Sequence, residues 1–247
     1  MRRQIHFFNY ADGDNNYFEE QTNSNAYFNN PYASYLQKLH IIDKQYEYKK
    51  SDIDTPFYEK NKKVLDEKYR VWKPYFVNKV LNENMNRHEI LVYMDSNLIF
   101  VENIDIENTM NILDVNDKGI IVFESTVKNI ECVKKKCFEM MKMDTDEYKL
   151  KNFCDTDLIL IRKNGIVLEL VQEWLMYSRN YNVVCDAEST DENYKEFKEH
   201  KGESSVFSLL VEKFKIDRIS SDIKNSILRK YDRQDFYDRQ NLNGNNQ

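Results

Sequence analysis

Acids and amides that follow apolar runs are the residues of this chain with chemistry to offer. Asp95-Ser96-Asn97 comes directly after EILVYM, an apolar run of strand length over 89–94 that is rich in β-branched and aromatic side chains. Their oxygens suit a hard divalent cation, and an acid just past a strand stands where parallel sheets hold ligands, beyond the strands' carboxyl ends. A turn or cap residue would look the same. Asp155-Thr156-Asp157 is a literal DxD. It precedes the strand expected over 157–162, which predicts a place at the opposite sheet edge, so Asp95 ranks above it. Tyr10 ends a first strand over 4–10 and Asp12 lies in the loop after it. That pair could stack on a base and accept from its ring N–H, or form a plain polar turn. Glu199-His200-Lys201-Gly202-Glu203 leads into a helix over 206–214 that Ser204 or Ser205 can cap. Such a loop suits phosphate or metal contact, or is a charged turn.

The elements that must position these residues follow from periodicity. Phe76, Val77, Val80, Leu81 and Met85 recur at helical spacing, with Pro74 where a helix's first turn tolerates a missing N–H. The centre therefore reads helix, polar turn, strand, acid. Around it the pattern predicts helices over 31–46, 57–68, 130–141 and 168–177, with Lys134 to Lys136 on the solvent side of the third. Further strands are expected over 46–53, 118–123 and 182–185, and weakly helical or irregular chain over 104–115. This is an α/β protein with a mixed, mainly parallel sheet flanked by helices. Residues 1–230 are expected to form one domain and 231–247 a polar, partly disordered tail.

Composition narrows the function classes. The 247 residues are 41% hydrophobic and 32% charged with a net charge of −6, which gives a sizeable core and no general attraction to nucleic acid or anionic lipid. No apolar run is long enough for a membrane span, and the one after Arg2 and Arg3 stops at Asn9, too early for a signal peptide. The four cysteines show neither CxxC nor zinc spacing, so a reduced, cytoplasmic setting is expected. With five glycines, the chain has neither a P-loop nor a GxGxxG turn. Any nucleotide must be held by side chains, ordinary backbone or a metal.

Three separated blocks then share one resemblance. YRVWKPY at 69–75, LVYMDSN at 91–97 and EHKGESSVFSLL at 199–210 resemble, in that order, the WKPY, DxD-like and late HxHDQS-like segments of GT-A type glycosyltransferases. The resemblance covers about residues 4–216. It implies a GT-A-like, Rossmann-like fold and a nucleotide-sugar donor, UDP-linked in preference to GDP-linked, bound at Tyr10, Ala11 and Asp12. It also implies Trp72, Lys73 and Ser96 near that donor, with Lys73 facing its sugar or diphosphate. Asp95, Asn97 and His200 would hold Mn²⁺ or Mg²⁺, which neutralises charge on the departing nucleoside diphosphate. Glu203 and Asp155 would be acceptor-side bases toward a glycan or other hydroxyl. The late block departs from the pattern, since Gly202-Glu203-Ser204 stands where HDQ is usual. That leaves two rivals open: a catalytically degenerate nucleotide-binding or scaffold protein of the same fold, and a purely structural partner-binding domain.

Overall fold

A computed structural model describes residues 4–10, 42–67, 69–95, 98–100, 113, 116–186 and 193–230. Residues 31–41 of the helix expected over 31–46, most of 104–115 and the tail from 231 lie outside the described residues. Strands β1 (Ile5–Tyr10), β2 (Lys44–Tyr48), β3 (Ile90–Met94), β5 (Ile120–Lys128), β6 (Asn152–Cys154), β7 (Leu158–Arg162) and β8 (Arg218–Ser220) form one sheet. Its order is β2-β1-β3-β7-β5-β6, with β8 also paired to β5. β1 pairs in parallel with β2 and β3, and β8 in parallel with β5, whereas β7 runs antiparallel to both β3 and β5 and β6 antiparallel to β5. Five of the seven strands therefore run one way and two the other, the mixed α/β class expected. The small strand β4 (Leu98–Phe100) pairs separately with β9 (Leu228–Lys230).

Period-two alternation divides the core between the two faces. Phe8, Leu91, Tyr93, Val122 and Ile159 face one cluster, while Phe7, Val92, Met94, Phe123 and Leu160 face the other. The first face is covered by α2 (Trp72–Lys79), α6 (Gly165–Ser178) and α8 (Glu203–Lys213), which supply Phe76, Val77, Val171, Trp174, Phe207 and Leu210. Ahead of these, α1 (Thr55–Leu65) starts at an Asp54 cap that accepts from the Phe57 N–H at 2.9 Å. Pro74 sits in the first turn of α2, as the sequence predicts, and α6 starts where the Asn164 side chain accepts from the Val167 N–H at 2.8 Å.

Several expectations are corrected. Residues 44–46 are strand rather than helix end, and β2 gives way at Lys50–Asp52 to a 3-10 turn. The helix over 130–141 is two short ones, α3 (Asn129–Cys132) and α4 (Lys135–Met140), because Val133 is extended between them. A short α5 (Asp146–Lys149) follows. Lys134 is not on a solvent face: it is 3% exposed, and its ammonium donates to the Cys185 carbonyl at 2.6 Å. The strand expected over 182–185 is a helical turn, α7 (Tyr181–Val184), because the Asn180 side chain caps the Asn182 N–H at 3.1 Å. Val183 and Val184 are buried in the first core, so their β-branched pair reports burial and not extension.

The start of α8 also differs from expectation. Gly202, not a serine, is its N-cap, and Ser204 and Ser205 lie buried inside the first turn. Gly202 has φ +55°, and a Cβ there would meet the Tyr69 carbonyl oxygen at 3.1 Å and the Tyr69 Cα at 3.3 Å. A glycine alone lets the helix start approach the Tyr69–Arg70 backbone this closely. Gly202→Ala is expected to destabilise the fold by roughly 1–3 kcal/mol, read as a lowered urea midpoint with an unchanged slope; an unchanged midpoint would remove the constraint.

Candidate functional site

Lys73, second residue of α2, is completely buried, and its ammonium finds an acceptor for each of its three protons. Asp95 Oδ1 lies at 3.0 Å, the Thr156 carbonyl at 2.9 Å and Thr156 Oγ1 at 3.0 Å, with Glu203 Oε1 at 3.5 Å. One side chain thus ties the end of β3, the turn before β7 and the start of α8 together. Asp95 Oδ1 also accepts from the Tyr93 hydroxyl, and its Oδ2 lies 3.6 Å from Arg70 Nη1. Glu203 Oε1 accepts from Thr156 at 2.9 Å and from Ser204 at 3.0 Å, whereas Oε2 is buried with no hydrogen-bond partner. Burial raises the Glu203 carboxyl above its ordinary range, and the Lys73 and Arg70 charges oppose that rise.

The DxD is not at the opposite edge. β7 runs antiparallel to β3, so its N-terminal end meets the C-terminal end of β3: Met94 pairs with Leu158, and the Asp95 N–H donates to the Asp157 carbonyl at 2.8 Å. Strand direction, set by non-local pairing, places Asp155, Thr156 and Asp157 beside Asp95. Lys224 of α9 (Ser221–Ile227) reaches both acids, 3.0 Å from Asp157 Oδ2 and 3.7 Å from Asp155 Oδ2. Lys201 lies 4.0 Å from Asp155 Oδ1. Burial, and then repulsion from Asp157, hold the Asp155 carboxyl above the ordinary carboxylate range.

Tyr10 closes β1 on the same edge. Its ring stacks on Trp72 at a centroid distance of 3.8 Å and also packs on Phe76, so Tyr10 is buried and the half-buried Trp72 lies outside it. A base has Trp72, not Tyr10, to stack on. Because β2 and β3 flank β1 on opposite sides, the chain reverses its winding here, and the C-terminal ends of β1 and β3 frame a topological switch point.

Of the residues singled out from sequence, the structure brings Trp72, Lys73, Asp95, Asp155 and Glu203 to this edge together with Tyr10. Ala11, Asp12, Ser96 and Asn97 lie outside the described residues. Three further roles are corrected. Lys73 is sealed behind Asp95 and does not face a donor, and Glu203, fully buried with Oε1 engaged, stands behind Lys73 and not on an acceptor's side. His200 is no metal ligand: Nδ1 accepts from the Lys134 N–H at 3.2 Å, and Nε2 lies 2.9 Å from the Val183 carbonyl. Sequence reasoning missed Arg70, Tyr93, Thr156 and Lys224. Thr156 was visible inside the DxD, but nothing in the pattern reveals the positive φ of Arg70 or the return of α9.

The divalent cation implied by the family resemblance does not fit the described donors. Asp95 Oδ1 already accepts from two groups, Oδ2 faces a guanidinium, and the Lys73 ammonium 3.0 Å away repels a second cation. Among the described residues no three His, Cys, Asp or Glu groups converge to hold an ion. No described helix is long and apolar enough to cross a membrane.

No protein-family model matches this sequence, and no curated protein matches it. Among solved structures it is similar to 4-diphosphocytidyl-2C-methyl-D-erythritol synthase from Anaerococcus prevotii, at 14% identity over 88% of this chain and 87% of that chain, with a TM-score of 0.42. A likeness that low has no weight for activity.

Burial lowers the His200 pKa to about 3, and the nearby Lys134 charge adds to the shift. In the unfolded chain the ring titrates near its ordinary value of about 6.5, so between these values the unfolded state binds a proton that the folded state refuses. Stability is therefore complete above about pH 6.5 and falls as pH drops toward 3, by on the order of 4 kcal/mol from this residue. His6, also lowered by burial, acts in the same direction. Urea melts at pH 7 and pH 4 should show this loss, and His200→Gln should shrink the difference between them; an equal difference in the variant would contradict the assignment.

Proposed function

We propose that the protein transfers a sugar from a nucleoside-diphosphate donor, a UDP-sugar before a GDP-sugar, to a hydroxyl of a glycan or other acceptor. The observation that carries this reading is the switch-point crevice itself, where an aromatic platform, a basic side chain and acids on both neighbouring strand ends converge. Open α/β sheets bind nucleotides at such points, and a chain so poor in glycine does it without a glycine-rich phosphate loop. In this reading Trp72 stacks on the base, Asp95 forms the floor under the sugar, and Ala11, Asp12, Ser96 and Asn97 complete the donor pocket. Transfer breaks the bond from the anomeric carbon to the phosphate oxygen and forms one to the acceptor oxygen. Asp155 takes the acceptor proton: its carboxyl is partly exposed at the rim, and burial and the neighbouring Asp157 make it a better proton acceptor than an ordinary carboxylate.

One observation favours a second reading, a nucleotide-binding scaffold without turnover: Lys224 pairs with both acids of the DxD. A panel of UDP- and GDP-sugars, assayed for release of nucleoside diphosphate and for labelled acceptor, separates the two. Transfer is expected, with Asp155→Asn losing turnover while it still binds donor, and with Trp72→Ala weakening donor binding by about tenfold. Binding without release for every donor would favour the scaffold, and absence of nucleotide binding would sink both readings.

A further inference from the structure

We infer that Arg70, and not a divalent cation, receives the diphosphate of the donor at this site, an inference that rests on the donor reading above. Arg70 is one of four non-glycine residues among those described with a positive φ, +57°, a conformation that L side chains enter at a cost. The neighbouring backbone fixes it there. The Tyr69 carbonyl accepts from the Glu203 N–H at 3.4 Å beneath Gly202, and the Arg70 carbonyl accepts from the Lys73 N–H at 2.9 Å at the start of α2. This strain aims the side chain at the crevice.

The guanidinium is not consumed by the fold. The Arg70 side chain is 58% exposed, and its Asp95 contact, at 3.6 Å, is longer than a hydrogen bond. A guanidinium steered by one carboxylate but not hydrogen-bonded to it keeps its planar fork of donors for a phosphate, which it matches in bidentate fashion. Trp72 stands two residues further along, so platform and fork enter the crevice from one stretch of backbone. In this arrangement a nucleotide stacks through its base on Trp72 and reaches Arg70 with its phosphates. Of the described cations at this edge, Lys73 is sealed from solvent and Lys224 and Lys201 lie against Asp155 and Asp157, so Arg70 is the accessible cation beside Asp95 and Trp72. The described donors leave no place for a metal in that role.

The test is calorimetric titration of UDP, GDP and UMP into the full chain, in excess EDTA and again with Mn²⁺. UDP or GDP is expected to bind in EDTA with an affinity that Mn²⁺ changes by less than about threefold. Arg70→Asn, chosen because asparagine tolerates the left-handed backbone, should weaken UDP by about tenfold or more and UMP by much less. Arg70→Lys, which keeps charge but loses the fork, should fall between, and circular dichroism melts of both variants confirm that they are folded. Diphosphate binding that appears only with Mn²⁺, or that Arg70→Asn leaves intact, would overturn the inference while the donor reading stands. No binding of any nucleotide in either condition would overturn both.

Discussion

A buried ammonium is the constraint on which this structure turns. Lys73 is sealed from water, and an ammonium moved into the interior without partners would destabilise the fold by several kcal/mol, so its acceptors have to arrive. They come from segments far apart in the chain: Asp95 after β3, Thr156 before β7, and Glu203 at the start of α8. Each of these segments is fixed by a separate device. The β3–β7 ladder sets Asp95 against Asp157, the Pro74 turn starts α2 beside them, and Gly202 lets α8 approach the Tyr69 backbone. The polar cluster and the two apolar cores thus specify the same arrangement, as in a sequence whose levels agree.

That arrangement was partly legible from the sequence. The apolar run before Asp95, the strand expected over 118–123 and the Pro74 helix start are local signals, and local signals survive folding. Strand direction is not local. A DxD ahead of a strand stands at one edge or the other depending on which way that strand runs, and only pairing with β3 and β5 reverses β7. His200 and Lys134 misled for a related reason. Both sit in charged stretches that read as wet or ligand-bearing, yet the fold closes over them and pairs the His200 ring with the Lys134 backbone and the Lys134 ammonium with Cys185. Arg70 could not be recognised from pattern at all, because its conformation is imposed by Gly202 and α8 well over a hundred residues away.

Seen from the crevice, the groups sort by depth. Lys73, Glu203 and Thr156 form the sealed layer, Asp95 and Tyr93 the floor, and Arg70, Trp72 and Asp155 the groups within reach of a ligand. The sealed layer holds Asp95 in one orientation and keeps the helix and strand ends in register. Lys224, arriving from the far end of the chain, limits how open the DxD side of the edge is.

The central claim, that the Lys73–Asp95 contact organises this edge, is tested most directly by a double-mutant cycle on Lys73→Met and Asp95→Asn followed by urea denaturation. A buried, hydrogen-bonded pair predicts a coupling of about 2 kcal/mol or more, because either single change strands its partner. Effects that add to within about 0.5 kcal/mol would contradict the account, and would mean that the two side chains are neighbours without being partners.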